Sequence, residues 1–70
     1  MSKPSRVTVT LREPDEERLE EVTEATRLSQ NDAIRKALAT EAFIQRTLGE
    51  GRKILVEGTD GEIREVEFVS

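Results

Sequence analysis

Several residue types with distinctive chemistry are missing from this 70-residue sequence. It has no cysteine and no histidine, so disulfide bonds are excluded and the usual metal sites are not expected. Tyrosine and tryptophan are also absent, and Phe43 and Phe68 are the two aromatic residues. There is no glycine-rich phosphate loop, and the many carboxylates lie on helix faces that we expect to be exposed. We therefore expect neither enzyme activity nor a cofactor.

Long apolar runs are missing too. The sequence predicts no signal peptide and no membrane span, so we expect a cytoplasmic protein without a membrane partner. A chain of this length forms one small core at most. Below roughly 70–80 residues, a stable fold usually needs disulfide bonds, a structural metal or a partner chain. With disulfides excluded and a metal not expected, oligomerisation is the leading way to stabilise the fold.

The net charge is −4, which as a single number argues against a nucleic-acid partner. The charges are unevenly spread, however. Residues 1–12 hold three bases and no acid, and residues 27–53 hold six bases and three acids. Residues 13–26 hold seven acids and one base, and residues 54–70 hold five acids and one base. This asymmetry suits a molecule with one basic and one acidic surface.

The stretch RVTVTLR, residues 6–12, alternates between polar and apolar side chains without a break. Val7, Val9 and Leu11 are apolar, and the residues between them are Arg or Thr. This pattern predicts a short β-strand with one dry face and one wet face. Its neighbours in sequence are helices, so the strand has no local partner.

A first helix is predicted from about Pro14 to about Thr26. Proline suits the first turn of a helix, and the acids around it favour the positive end of the helix dipole. The apolar content is a narrow stripe of Leu19, Val22 and Ala25. We interpret the opposite face, which is nearly all carboxylate, as a solvated surface.

A second helix is predicted after Ser29, a natural N-cap, with Asp32 three residues on in the position of a capping box. Gly49 and Gly51 are expected to end it. Its apolar residues recur at intervals of three and four: Ile34, Ala37, Leu38, Ala42, Ile44 and Leu48.

A β-hairpin is predicted at the end of the chain. Residues 54–56 are a β-favouring run, residues 58–61 (GTDG) are a turn signal, and Ile63, Val66 and Phe68 mark a second strand. Because an isolated hairpin is marginal in water, it should pack on the second helix or pair across an oligomer interface.

The economical partner for the strand of residues 6–12 is the same strand in a second chain. Two copies related by a two-fold axis form an antiparallel two-stranded ribbon. Its apolar face would cover a core shared by both chains, and Arg6, Thr8 and Thr10 would face outward from each chain. Such a ribbon fits the major groove of B-DNA, where Arg can donate to guanine and Thr can contact base edges.

Phosphate anchors would be needed as well, since they supply most of the affinity and set the register. The start of the second helix, at Ser29, Gln30 and Asn31, offers free backbone N–H groups and a favourable dipole. Lys3 and Arg12 add positive charge near the ends of the ribbon.

This pattern resembles the ribbon-helix-helix family of DNA-binding proteins, the Arc/MetJ type. RVTVTL is similar to the family's ribbon, and LSQNDAIRKAL is similar to the start of its second helix, where a phosphate is clamped. The resemblance covers residues 6–48 and assigns base contacts to Arg6, Thr8 and Thr10. The family often has glycine where Arg27 stands, because the first helix ends there in a left-handed turn.

The fold class implied is a mainly α intertwined homodimer with a short N-terminal β-strand in an intermolecular antiparallel ribbon. Residues 1–50 would form the dimerisation and DNA-binding domain, and residues 51–70 a C-terminal β-hairpin extension outside the family's shared part. The expected function is transcriptional repression at a palindromic or tandem operator, in the cytoplasm at the nucleoid, with dimers able to assemble side by side. The expected dimer core is Val7, Val9, Leu11, Leu19, Val22, Leu28, Ile34, Ala37 and Leu38.

Two alternatives stay open from the sequence. In the first, the protein is an antitoxin that binds its operator through the ribbon and a toxin through its acidic C-terminal part, which makes the hairpin a possible site for a protein partner. In the second, it is an acidic protein-interaction module without DNA binding, for which the net charge is the best support.

Overall fold

A computed structural model describes residues 4–68 of the chain. The described part is mainly helical, with the order α1 (Glu13–Thr26), α2 (Gln30–Gly49), β1 (Leu55–Glu57) and β2 (Ile63–Glu65). The chain divides into two compact units, residues 1–34 and residues 35–70, and the boundary falls within α2. The coarse prediction of two helices followed by an antiparallel hairpin is confirmed.

Helix α1 starts and ends where the local signals predict. Pro14 lies in its first turn together with acidic residues that favour the helix dipole. The helix ends at Thr26, and Arg27 follows it with φ 58° and ψ 29°, in the left-handed region. Arg27 thus adopts a conformation that glycine reaches without the steric cost of a Cβ atom.

Helix α2 begins immediately after Ser29, whose Oγ accepts a hydrogen bond from the Asp32 N–H at 3.2 Å. Ser29 is therefore the N-cap that the sequence predicts. The helix ends at Gly49, and Gly51 follows with φ 79°, a left-handed conformation that glycine adopts without steric cost.

Strands β1 and β2 pair in antiparallel register, with Leu55 opposite Glu65 and Glu57 opposite Ile63. The Gly58–Gly61 turn closes the hairpin, with the Gly61 N–H donating to the Gly58 carbonyl at 2.9 Å. Strand β1 lies one residue later than the predicted run of residues 54–56, and β2 is shorter than predicted. The prediction that the second strand extends through Val66 and Phe68 is wrong, because β2 ends at Glu65.

Residues 4–12 form neither a helix nor a strand in this single chain, so the strand predicted for residues 6–12 is not present in it. The physical reason is that a strand needs a hydrogen-bonded neighbour, and this segment has none within residues 4–68. Pairing with a second chain stays a prediction.

The described residues of one chain hold almost no core. Among residues 4–68, Ala33 alone is buried, with no exposed surface, and ten large apolar side chains are exposed. Neither described helix has the length and apolar character needed to cross a lipid bilayer.

Candidate nucleic-acid interface

The segment of residues 6–12 is exposed along its whole length. Val7 and Val9 retain 82% and 67% of their accessible surface, although both are apolar. Arg6, Thr8 and Thr10, the predicted base contacts, are also exposed. Both faces of this segment are therefore exposed to solvent in the single chain. Burial of the apolar face would give the larger favourable free energy, because it removes apolar surface from water.

The end of this segment is fixed to α1 by a set of short hydrogen bonds. The Arg12 N–H donates to Asp15 Oδ2 at 3.1 Å. In return, the N–H groups of Asp15 and Glu16 donate to the Arg12 carbonyl at 2.9 and 3.0 Å. Arg12 is thus the N-cap of α1, with an extended backbone, while its side chain is exposed.

The sequence reasoning missed this capping role of Asp15, which it treated only as a charge near the helix dipole. A signal was available, because an acid three residues after a helix start is the reaching-back half of a capping box. For the candidate interface, the capping box fixes the position of Arg12. Arg12 has a fixed backbone and a free side chain, which suits a contact to a phosphate at the edge of a ribbon.

The connection between the two helices is equally well defined. The Arg27 N–H donates to the Thr23 carbonyl at 2.8 Å, and Thr26 Oγ1 donates to the Val22 carbonyl at 2.7 Å. Leu28 follows and is half-buried. Three residues, 27–29, therefore separate the helices, and the left-handed Arg27 makes this short turn possible.

The first turn of α2 contains the predicted phosphate contacts Ser29, Gln30 and Asn31, and all three are exposed. Ser29 satisfies the Asp32 N–H through its side chain and the Ala33 N–H through its carbonyl, at 3.2 and 2.8 Å. Helix geometry leaves the N–H groups of Gln30 and Asn31 without an intrahelical acceptor. Those two amides, at the positive end of the helix dipole, are the groups that could bind an anion.

An open groove of about 390 Å³ lies beside α1 in the unit of residues 1–34. It is lined by Leu11, Glu16, Leu19, Glu20, Thr23 and Gln30. The end of the exposed segment and the start of α2 thus border the same groove. Two carboxylates in its lining make it unfavourable for phosphate, and Leu11 and Leu19, both from the predicted dimer core, suit an apolar group instead.

Three positive charges of this unit are available to a ligand. Arg6, Arg12 and Arg27 form no ion pair within residues 4–68. Arg18, by contrast, lies 3.5 Å from Asp15 on the exposed surface of α1. Lys3, the remaining predicted phosphate contact, lies outside the described residues.

Acidic side chains do not converge into a metal-binding cluster in the part of the chain that the structure describes. No protein-family model, curated protein or solved structure matches the chain. The resemblance to the ribbon-helix-helix family therefore depends on the residues quoted above.

No member of the predicted dimer core is buried in the single chain. Leu19, Val22 and Leu28 are half-buried, and the other members are exposed: Val7, Val9, Leu11, Ile34, Ala37 and Leu38. The buried Ala33 was missed. It is the fourth residue of α2, where a hydrophobic staple pairs with the residue before the N-cap, and that spacing could have identified it.

Proposed function

We propose that the chain acts as a homodimeric, sequence-specific DNA-binding transcriptional regulator, a repressor, that reads the major groove with a two-stranded ribbon. The observation that carries the proposal is the exposed alternating segment of residues 6–12 next to the start of α1. Its apolar side chains have no cover in the single chain, and antiparallel pairing with a second copy would supply one.

The ribbon would present the same polar side chains twice, once from each chain. Arg6 would donate to guanine O6 and N7, and Thr8 and Thr10 would contact base edges or thymine methyl groups. The exposure of all three residues supports these roles. A symmetric ribbon predicts an operator made of inverted half-sites.

Phosphate contacts would fix the ribbon in the groove. The Arg12 side chain is exposed, and its backbone is held in place by the N-cap hydrogen bonds of α1. Gln30 and Asn31 offer backbone N–H groups at the start of α2. We assign Ser29 to the same contact through its hydroxyl, and Lys3 by its place in the sequence. The unpaired cations among residues 4–27 support this role in spite of the negative net charge of the whole chain.

The test is to select duplexes from random DNA with the purified full chain and to sequence those that bind. An inverted or tandem repeat is the expected result. On the selected site, Arg6→Ala and Thr8→Ala should each weaken binding by about 1–3 kcal/mol and relax the preference at one base pair.

Matched controls are Arg46→Ala and Thr40→Ala, which remove the same side chains from exposed positions on α2. They should leave the affinity for the selected site unchanged. Wild-type affinity in the Arg6 and Thr8 variants would remove the ribbon from the mechanism.

Salt dependence separates this proposal from a protein-interaction module. A protein that contacts phosphates shows log affinity for duplex DNA falling linearly as log salt rises. Absence of DNA retention even at low salt would refute DNA binding and favour the acidic interaction module.

A further inference from the structure

The C-terminal hairpin has an open edge along β1. The Gly58 N–H donates to the Glu62 carbonyl at 2.7 Å, and the Val66 N–H donates to the Ile54 carbonyl at 2.8 Å. Backbone groups alternate in direction along an antiparallel strand. Ile54 and Gly58 therefore turn their backbone groups toward β2, while Leu55 and Glu57 turn theirs outward.

The sequence along this edge is complementary to itself. Residues 53–57 read KILVE, with Leu55 at the centre. If a second copy lies antiparallel with the two-fold axis at Leu55, the two Leu55 side chains stand opposite each other. Ile54 then faces Val56 of the second copy, and Lys53 faces Glu57 of the second copy. Apolar groups meet apolar groups, and each flanking charge meets its opposite.

The exposed apolar surface supports this arrangement. Leu55 and Val56 retain 56% and 55% of their accessible surface in the single chain. The register places Ile54, Val56 and Val66 on one face of the hairpin. Two hairpins joined along β1 would form a four-stranded sheet with these side chains contiguous across the centre, whereas one two-stranded hairpin is marginal in water.

Charge and geometry also select the edge and the register. Residues 54–70 carry five acids and one base, so most alignments of two hairpins bring like charges together. On the β2 edge, two-fold registers centred on Arg64 or Glu65 place that charge opposite its own copy, and one centred on Val66 places Glu65 opposite Glu67. A register centred on Ile63 pairs Arg64 with Glu62 but brings Glu65 opposite Gly61. A shift toward the turn is blocked, because Gly61 has φ 85° and the chain is not extended there. Lys53 and Glu57 form no ion pair within residues 4–68, so both are available to a second copy.

We infer that β1 is a self-association edge, at which two copies of the chain join their hairpins into one antiparallel four-stranded sheet centred on Leu55. This interface goes beyond the proposed DNA-binding function and does not require it, because it uses residues 53–57 and not the ribbon.

The absence of cysteine from the natural sequence makes a direct test possible, since every disulfide then reports on an introduced residue. In the full chain, Leu55→Cys places two sulfurs across the two-fold axis, where the Cα atoms of a hydrogen-bonded pair are about 5.5 Å apart and within disulfide range. Mild oxidation should give a covalent dimer on a non-reducing gel. Ile63→Cys is the matched control, because Ile63 is 60% exposed on the same sheet face but on the β2 edge.

We expect Leu55→Cys to cross-link at least about tenfold faster than Ile63→Cys, after each rate is divided by the thiol's rate with a small alkylating reagent. In the Leu55→Cys background, Lys53→Glu or Glu57→Lys should slow cross-linking about tenfold, because two cross-strand charge pairs become repulsive. Combining the two substitutions should restore the rate, because the charges are complementary again. Equal rates for the two cysteine variants, or no rescue in the combined variant, would overturn the inference.

Discussion

Arg27 is the one residue other than glycine with a positive φ among residues 4–68. It has φ 58° and ψ 29°, in the left-handed region where a Cβ atom costs roughly 1–2 kcal/mol. Glycine adopts this region without that cost, although it loses about 0.5–1 kcal/mol through the greater freedom of the unfolded chain. We expect Arg27→Gly to raise the free energy of unfolding by about 0.5–1 kcal/mol, as measured by urea denaturation.

Arg27→Ala is the control for this prediction. It removes the guanidinium but keeps the Cβ atom, so the backbone strain stays and stability should not rise. Equal stabilisation by both substitutions would show that the side-chain charge, and not the backbone conformation, is the source of the effect.

At the scale of the element, the first turn of α2 has a structural and a proposed functional role that mutation can separate. Ser29 Oγ accepts the Asp32 N–H, so Ser29→Ala should cost about 1 kcal/mol of stability through the lost cap. Ser29→Asp restores an N-cap and complements the helix dipole, so it should keep the stability. Its carboxylate would repel a phosphate, and duplex DNA affinity should therefore fall while the urea midpoint is unchanged.

Thr40→Asp adds the same negative charge at an exposed position in the middle of α2 and serves as the control. It should leave DNA affinity closer to that of the wild type than Ser29→Asp does. If Ser29→Asp keeps full affinity in a folded protein, the start of α2 does not contact phosphate.

Helices and turns were predictable because their signals are local. Pro14 and Ser29 mark the starts of the two helices, and Gly49 marks the end of α2. Each of these residues affects the backbone only within about one helical turn of its own position. Strand lengths were less predictable, since a strand ends where its partner ends. Val66 is apolar and still donates its N–H to the Ile54 carbonyl, yet it lies beyond β2.

The N-terminal segment marks the limit of local reasoning. Its alternation predicts a strand, but alternation specifies only which face is dry and does not supply a hydrogen-bonding neighbour. In the candidate interface, residues 6–12 are exposed along their whole length, polar and apolar alike. The cap between Arg12 and Asp15 has a local signal, an acid three residues after the N-cap, and was within reach of the sequence. The groove beside α1 could not be anticipated, because Leu11 and Gln30 are distant in sequence.

At the scale of the whole molecule, one chain buries too little apolar surface to account for a stable fold. Ala33 is the sole buried residue among residues 4–68, while Leu38 and Phe43 on α2 stay more than half exposed. Below roughly 70–80 residues, a domain without disulfides or metals usually needs association for stability. Folding and self-association should therefore be one process, and the stability of the protein should depend on its concentration.

We expect the thermal midpoint, followed by far-ultraviolet circular dichroism, to rise when the protein concentration is increased about a hundredfold. Val9→Lys should lower the midpoint strongly, because it places a charge on the apolar face that a second chain would cover. Thr8→Lys adds the same charge to the adjacent residue on the opposite face and should leave the midpoint nearly unchanged. A wild-type midpoint independent of concentration, or equal losses from the two lysine variants, would mean that the apolar face of residues 6–12 is not where two chains meet.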